Sequence, residues 1–302
     1  RKEILNFLLL ICLFAFSSCF DYYSTLREKA KENAIASRLR YSIIENNSTN
    51  VRLLNLNRDG TLEFGSDIFS TSNAVKTVVH DFDNDGALDF LLVIADKAPW
   101  VFFSNGQGSF FPVSSGSVTG VSFFDAVICK GPAADGFLLV SGSSSDTDYM
   151  FEKDGPISFS VTTSITGNNF QSAAGGDFDN DGLTDVFLGM DSTASDFMYK
   201  RDSGGGFLSS SGWEGSYSSE ASAYTLVSAV ADFNKDGMLD IVEGGNTGTT
   251  NLRVWRNTDG SIFDCVYTSL VAGVDKLLLQ DFNNDGFVDI LASGSSTFLF
   301  VN

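Results

Sequence analysis

A short acidic motif occurs four times in the chain and limits its fold more than any other feature. The copies are DFDNDGALD at 81–89, DFDNDGLTD at 177–185, DFNKDGMLD at 232–240 and DFNNDGFVD at 281–289. They start 96, 55 and 49 residues apart, so the first interval has room for one more unit. A motif repeated at this interval predicts an array of similar units that bury their apolar faces against one another.

The spacing of acidic residues within the motif indicates a cation site. Positions 1, 5 and 9 are always Asp, position 3 is Asp or Asn, position 6 is Gly, and the four copies hold 14 aspartates. Without a counter-ion, such a cluster of like charges would destabilise a folded chain. Oxygen ligands at positions 1, 3, 5 and 9, with a backbone carbonyl at position 7, can surround one hard cation. The alternative is four polar turns that bind no ion.

A second pattern, an apolar or aromatic run followed by a polar turn, accompanies the motif. It predicts β-hairpins at 51–64, 100–113, 149–161, 197–209 and 252–265. Each unit is therefore about four short strands, which by strand count and length is typical of a propeller blade. The opening unit, which begins near residue 39, lacks its first strand, and the last unit lacks its fourth.

One unit between the first two motifs lacks acidic residues at the ligand positions. Segment 124–142 keeps the apolar strand but places Ile128, Lys130, Pro132 and Gly136 at the ligand positions. We expect this unit to bind no ion and the Lys130 ammonium to lie where the cation would sit. Six units are then visible, and a truncated seven-bladed ring is the preferred closure.

The motif, the strand that follows it and the NGQGSF-type turn together resemble the FG-GAP/VCBS repeat of integrin α-subunit propellers and of many secreted proteins. The resemblance covers about residues 39–302. It implies an all-β propeller of four-stranded blades with about four Ca²⁺ ions, each in the loop between the first two strands of a blade. The implied metal ligands are Asp81, Asp83, Asp85, Ala87 and Asp89; Asp177, Asp179, Asp181, Leu183 and Asp185; Asp232, Asn234, Asp236, Met238 and Asp240; and Asp281, Asn283, Asp285, Phe287 and Asp289.

An EF-hand is the nearest rival interpretation of the motif. It needs a bidentate Glu at position 12 and a helix on each side. Position 12 is Leu92, Leu188, Glu243 or Ala292, and the residues that follow the motifs are short apolar runs typical of strands. The sequence therefore favours a loop between two strands.

The start of the chain differs from the repeats. Residues 1–20 combine two basic residues with an apolar stretch, which is typical of a secretory signal. FSSC at 16–19 also resembles the lipobox of bacterial lipoproteins, in which Cys19 would be lipidated, and an uncleaved anchor is a further alternative. Residues 21–38 are rich in helix-forming residues and predict a helical linker. We expect a secreted or cell-surface protein that contacts the membrane only through such an anchor.

Composition excludes one class of partner and offers little support for catalysis. A formal net charge of −19 disfavours binding to nucleic acid. The single histidine, His80, precedes the first motif, and no nucleophile motif accompanies it, so a strand-end role is expected. Four aromatic residues are candidates for ligand contact on exposed loops: Trp100, Trp213, Tyr217 and Tyr224.

These observations predict a calcium-binding recognition or adhesion module that binds a protein or a glycan. Two alternatives stay open. The propeller could belong to a secreted carbohydrate-active enzyme, or it could be a rigid spacer without a ligand.

Overall fold

A computed structural model provides the structure of the chain. It describes residues 41–46, 50–56, 62–70, 74–95, 97–106, 109–115, 118, 121–142, 147–166, 169–190, 196–208, 225–245, 252–260, 262–269, 271 and 273–302. The predicted signal or anchor at 1–20 and the helical linker at 21–38 lie outside these residues. Among the residues described, no helix has the length and apolar character needed to cross a membrane.

The described residues form six antiparallel sheets, and in each sheet the strands follow one another in chain order. The chain divides into two compact units, residues 1–119 and 120–302. The first unit has a three-stranded sheet of β1 (Tyr41–Asn46), β2 (Asn50–Leu56) and β3 (Leu62–Ser70). Its second sheet has four strands: β4 (Ala74–His80), β5 (Asp89–Ile94), β6 (Trp100–Ser104) and β7 (Phe110–Ser114).

The second unit contains four sheets. The first has β8 (Phe123–Cys129), β9 (Gly136–Ser141), β10 (Thr147–Lys153) and β11 (Phe159–Thr166); the second has β12 (Phe170–Gly176), β13 (Asp185–Met190), β14 (Phe197–Arg201) and β15 (Phe207–Leu208). The third has β16 (Thr225–Ala231), β17 (Asp240–Gly245), β18 (Leu252–Asn257) and β19 (Phe263–Ser269). The fourth has β20 (Val274–Gln280), β21 (Asp289–Gly294) and β22 (Thr297–Phe300).

In the four-stranded sheets, the second strand is the most buried element. All six residues are buried in β5, β9, β13 and β17. Burial on both faces requires apolar neighbours on both sides, which explains why consecutive apolar residues follow the first residue of each of these strands. In the first unit, for example, the ring of Phe90 on β5 stacks on Phe102 of β6 with centroids 4.4 Å apart.

Apolar clusters join each pair of consecutive sheets in the second unit. Phe187 and Met198 of the second sheet pack with Ile241, Trp255 and Phe263 of the third. Equivalent clusters join the first sheet to the second and the third to the fourth. The first strands β8, β12, β16 and β20 are neighbours in that order. Four-stranded meanders that stack face to face through their first strands are propeller blades, so the predicted all-β propeller fold is confirmed.

The predicted blade count is wrong for the described residues. Four sheets have four strands, but β1–β3 and β20–β22 have three, so the structure does not describe six or seven four-stranded blades. The two three-stranded sheets belong to the first and last units, which the sequence predicted to lack one strand each, and the predicted count included these incomplete units.

The predicted hairpins and loop positions are confirmed. The hairpins are β2–β3, β6–β7, β10–β11, β14–β15 and β18–β19. Each acidic motif begins after the first strand of a sheet and ends on the first residue of the second strand. Strands rather than helices flank the motif on both sides, which excludes the EF-hand.

Candidate metal centre

The four acidic loops adopt one backbone conformation. Position 4 has a positive φ between 59° and 62°, at Asn84, Asn180, Lys235 and Asn284. The Gly at position 6 has a φ of 88° to 93° in all four loops. At Gly86, Gly182 and Gly237 no atom lies within 4 Å of the place that a Cβ would occupy, so backbone conformation rather than space favours glycine.

Hydrogen bonds to the backbone fix the first aspartate of each loop. Its two carboxylate oxygens accept from the N–H groups of positions 5 and 6; in the first loop, Asp85 N and Gly86 N lie 3.1 and 3.0 Å from the Asp81 oxygens. The same pair of bonds recurs at Asp177, Asp232 and Asp281. The position 3 side chain also accepts from the position 5 N–H in every loop. The acidic side chains are thus held on one side of a tight turn.

The ninth residue, always Asp, ties the loop to the sheet. One oxygen accepts from the N–H of position 2, and the other accepts from the N–H at or next to the end of the third strand. All four of these aspartates are buried: Asp89, Asp185, Asp240 and Asp289. Burial raises the pKa of Asp89 and of Asp185 to about 6, and it also raises the pKa of Asp240. A nearby cation would remove this cost by stabilising the ionised carboxylate.

Two loops bring three carboxylates together. In the first loop, one oxygen each from Asp81, Asp83 and Asp89 lies within 4.8 Å of the others. Asp177, Asp179 and Asp185 form the same arrangement in the second loop. The other two loops have Asn at position 3 and the same hydrogen bonds. Three of the four predicted side-chain ligands are therefore adjacent in each of the first two loops.

The predicted ligand at position 5 lies outside these triads. One carboxylate oxygen of Asp85 accepts from Ala87 N at 2.7 Å, and Asp181 makes the same bond to Leu183 N. Asp236 and Asp285 do likewise with Met238 and Phe287. The second oxygens of Asp236 and Asp285 accept from the amides of Asn234 and Asn283, both at 2.8 Å. Ion binding by position 5 and by the position 7 carbonyls stays a prediction.

The second loop carries its own counter-charge. The Lys200 ammonium, at the end of the neighbouring strand β14, pairs with the Asp179 carboxylate. Asp179 belongs to the triad of this loop. A bound ion and Lys200 would therefore compete for the same carboxylate.

The repeat that contains this loop matches a known family. Residues 177–243 match the model of the FG-GAP-like repeat. This segment is an FG-GAP-like repeat. The match spans the second loop, strands β13 to β17 and the third loop. No protein among the curated sequences matches the chain significantly.

Solved structures share the fold of these FG-GAP repeats. A chain from the crystal structure of BBS1N in complex with ARL6DN has a TM-score of 0.56 at 9% identity, with 86% of this chain and 73% of that chain covered. A protein from Lactobacillus plantarum has a TM-score of 0.57 at 12% identity, with 88% and 82% covered. Identities this low establish a common fold and nothing about function.

The unit at 124–142, which lacks the acidic motif, contains a different buried cation. Lys130 is exposed, and its backbone N–H donates to the Thr184 hydroxyl. The Arg201 side chain, fully buried, reaches this unit from strand β14 of the next sheet and pairs with Glu152. A Cβ added at Gly131 would lie 3.0 Å from the guanidinium. The buried cation beside this turn is therefore the Arg201 guanidinium and not the expected Lys130 ammonium.

Sequence reasoning missed the residue at the end of the third strand. In the four FG-GAP units with a loop, the backbone N–H donor to the ninth aspartate belongs to Ser104, Arg201, Asn257 or Asn302. The Asn257 amide also donates to Phe178 O of the preceding loop, and the Asn302 amide donates to Phe233 O. A signal was present in the sequence, because the first three of these residues each open the polar turn of a predicted hairpin.

A second carboxylate pair lies at the other end of the strands. The Asp196 carboxylate accepts from Met190 N and from the Thr225 hydroxyl, which also lies 3.3 Å from Glu243. Glu243 accepts from the Trp255 indole and pairs with Arg253. Burial, followed by the charge of Glu243, raises the pKa of Asp196 well above its usual value. The partners of Glu243 are those of a structural cluster between two blades.

The structure tests few of the other candidate residues. Trp100 begins strand β6 and is half-buried, and Trp213, Tyr217 and Tyr224 lie outside the described residues. His80 ends strand β4 and packs against Phe82 with ring centroids 5.1 Å apart. This position fits the strand-end role expected of His80.

Proposed function

We propose that this protein is a calcium-binding β-propeller that acts as a protein-interaction module at the cell surface or outside the cell. The observation that carries the calcium part is the grouping of three carboxylate oxygens within 4.8 Å of one another in each of two loops. Ca²⁺ binds oxygen ligands at 2.3–2.6 Å, so two of its ligands lie at most about 5 Å apart. The triads fit this limit.

The buried ninth aspartate supports the same proposal. Its carboxylate accepts two backbone N–H bonds but bears a desolvation cost that raises its pKa. A divalent ion would offset that cost and the repulsion within the triad. Asp81, Asp83 and Asp89 would hold the ion in the first loop, and Asp177, Asp179 and Asp185 would hold it in the second. The ion's role would be to hold the loop and its two strands together.

The compartment follows from the affinity expected of such sites. Open, acidic loops of this kind in extracellular modules fill at millimolar calcium and would be mostly empty in resting cytosol. The signal-like residues 1–20 agree with export. We therefore propose up to four bound ions in a secreted or surface-attached protein.

Protein recognition is the binding activity that propeller folds of this kind favour. One of the solved structures that shares the fold is a complex of two proteins, BBS1N and ARL6DN. On this chain, the candidate contacts are the aromatic residues Trp100, Trp213, Tyr217 and Tyr224. Aromatic residues on loops are common anchors of protein interfaces.

Thermal melting tests the calcium part of the proposal. We expect calcium to raise the melting temperature and EDTA to lower it. Asp177→Asn should remove one site's share of the calcium effect, which is about 1.4 kcal/mol when calcium is about ten times the dissociation constant. Asp264→Asn is the matched control, because this acid is exposed and pairs with Arg256 outside the loops. A melting curve that calcium and EDTA leave unchanged contradicts the proposal.

A binding screen tests the recognition part. The purified protein is immobilised and exposed to extracellular proteins and to a glycan array, with calcium and with EDTA. We expect a protein ligand whose binding is lost in Trp213→Ala and Tyr217→Ala. Glycan binding alone would replace the protein partner by a carbohydrate, turnover of a glycan would favour the enzyme alternative, and no binding at all would favour a spacer.

A further inference from the structure

We propose that the three acidic loops in residues 120–302 bind calcium cooperatively, so that an ion bound in one loop increases the calcium affinity of the next. The inference rests on the calcium binding proposed above. It concerns the loops at 177–185, 232–240 and 281–289, and two asparagines that connect them.

Asn257 connects the first two of these loops. Its backbone N–H donates to the ninth aspartate of its own loop, Asp240, at 2.9 Å. Its side-chain amide donates at 2.8 Å to Phe178 O, next to the first aspartate of the preceding loop. Asn257 is fully buried, so these bonds are shielded from water. One residue therefore contacts both sites.

Asn302 connects the second and third loops in the same way. Its backbone N–H donates to Asp289 at 2.9 Å, and its side-chain amide donates to Phe233 O at 2.7 Å. Phe233 follows the first aspartate of the loop at 232–240. The arrangement at Asn257 is thus repeated one blade further along.

Position 4 provides a second connection between the same loops. The Asn180 amide donates to Gly237 O, at position 6 of the next loop, at 3.3 Å. The Lys235 ammonium lies 3.8 Å from the centroid of the Phe287 ring, at position 7 of the loop after that. Each pair of consecutive loops is therefore connected twice, once by an asparagine after the third strand and once by the side chain at position 4.

These connections provide a physical basis for coupling. An ion that orders one loop also fixes the asparagine bonded to the ninth aspartate, and that asparagine holds the backbone of the preceding loop. The next ion then binds a loop whose ordering cost has already been met in part, which is positive cooperativity. In the sheet that carries the loop at 81–89, the residue equivalent to Asn257 is Ser104. Its hydroxyl accepts from Gly106 N in its own turn. We therefore expect the loop at 81–89 to fill independently.

Hydrogen exchange of the full chain during a calcium titration tests the coupling loop by loop. We expect peptides covering 177–189, 232–244 and 281–293 to become protected together along one steep curve, and the peptide covering 81–93 to follow a separate, non-cooperative curve. Asn302→Ala removes the amide but keeps the backbone N–H that bonds Asp289. It should separate the curves of the last two loops and raise the calcium midpoint at 281–293 by about fivefold or more.

Thr258→Ala is the matched control, because Thr258 follows Asn257 in the same turn and its hydroxyl bonds only within that turn, to Ile262 O. This variant should keep the steep common curve. Calcium protection of each loop with independent midpoints, or a common curve that Asn302→Ala leaves intact, would overturn the coupling while leaving calcium binding in place. No protection of any loop by calcium would overturn the proposed function and the coupling together.

Discussion

The unit at 124–142 and the unit that follows it differ in the turn that connects their first and second strands. Both have a bulge near the start of the first strand and the same antiparallel pairing of first and second strands. In the second of them, the turn between those strands holds the triad of Asp177, Asp179 and Asp185. In the first, no acidic residue stands at the corresponding positions, and the buried guanidinium of Arg201 enters from the next blade. If the proposed calcium binding is correct, one blade turn is stabilised by an exchangeable ion and the other by the side chain of an arginine.

The largest expected effect on stability comes from replacing Arg201. Arg201→Met should lower the free energy of unfolding by about 3 kcal/mol, because it leaves the partly buried Glu152 without its partner. Calcium should not restore this loss, since the unit has no acidic loop. Urea denaturation in saturating calcium gives the measurement.

Arg256→Met is the control for this change. Arg256 pairs with Asp264 at the surface, where both side chains are about half exposed, so the loss should be within about 0.5 kcal/mol. Equal effects of the two substitutions would show that the buried guanidinium has no special role in the unit at 124–142.

An intermediate effect is expected from pH, because the acidic loops titrate. Without calcium, the folded chain holds protons on Asp89 and Asp185, whose pKa is about 6, that the unfolded chain releases near 3.8. Stability without calcium should therefore rise as the pH falls from 7 towards about 5. Calcium needs the ionised carboxylates, so its stabilising effect should disappear over the same range. Melting curves at several pH values, with calcium and with EDTA, give the measurement.

Asp196→Asn separates the loops from the other titrating group. The raised pKa of Asp196 contributes to the pH dependence with EDTA but not to the calcium effect. The variant should therefore flatten the EDTA series and leave the difference between the two series unchanged. A calcium effect that is constant from pH 7 to about 5 would show that the buried aspartates do not hold the ion.

The smallest effect is expected from replacing Lys200, a side-chain cation that pairs with a residue of an acidic triad. Its ammonium pairs with Asp179 and would be displaced by an ion. Lys200→Met should strengthen calcium binding at 177–185 by up to about fivefold, as expected of a partly exposed ion pair. The calcium midpoint of hydrogen exchange at 177–189 gives the measurement.

Lys130→Met is the control for Lys200, since Lys130 is exposed in the unit that has no acidic loop. It should leave the midpoint at 177–189 unchanged. An unchanged midpoint in Lys200→Met as well would mean that the ammonium does not compete with the ion.

Much of the fold could be predicted because each unit repeats its local pattern. The spacing of the motif located the turn between two strands, and the polar turns located the hairpins. The missing fourth strand of the last unit was also predicted from the sequence. The sequence did not predict that Asp85 and Asp181 lie outside the triads and each accept a bond from the backbone N–H two residues ahead.

Contacts between units were beyond sequence reasoning. Arg201, Asn257 and Asn302 stand at equivalent positions, yet each side chain acts on the preceding unit. A pattern read within one unit does not reveal this offset. Among these three, the identity of the residue follows the neighbour: Asn where the preceding unit has an acidic loop, and Arg where it does not.

This offset has a consequence for engineering and for the duplication of such arrays. A segment excised from one motif to the next would carry a loop without the amide that supports it, and an amide whose acceptor had been left behind. Grafts and added copies should therefore extend through the third strand of the following blade, and chimaeras joined at the motif itself should melt at lower temperatures than those joined after that strand.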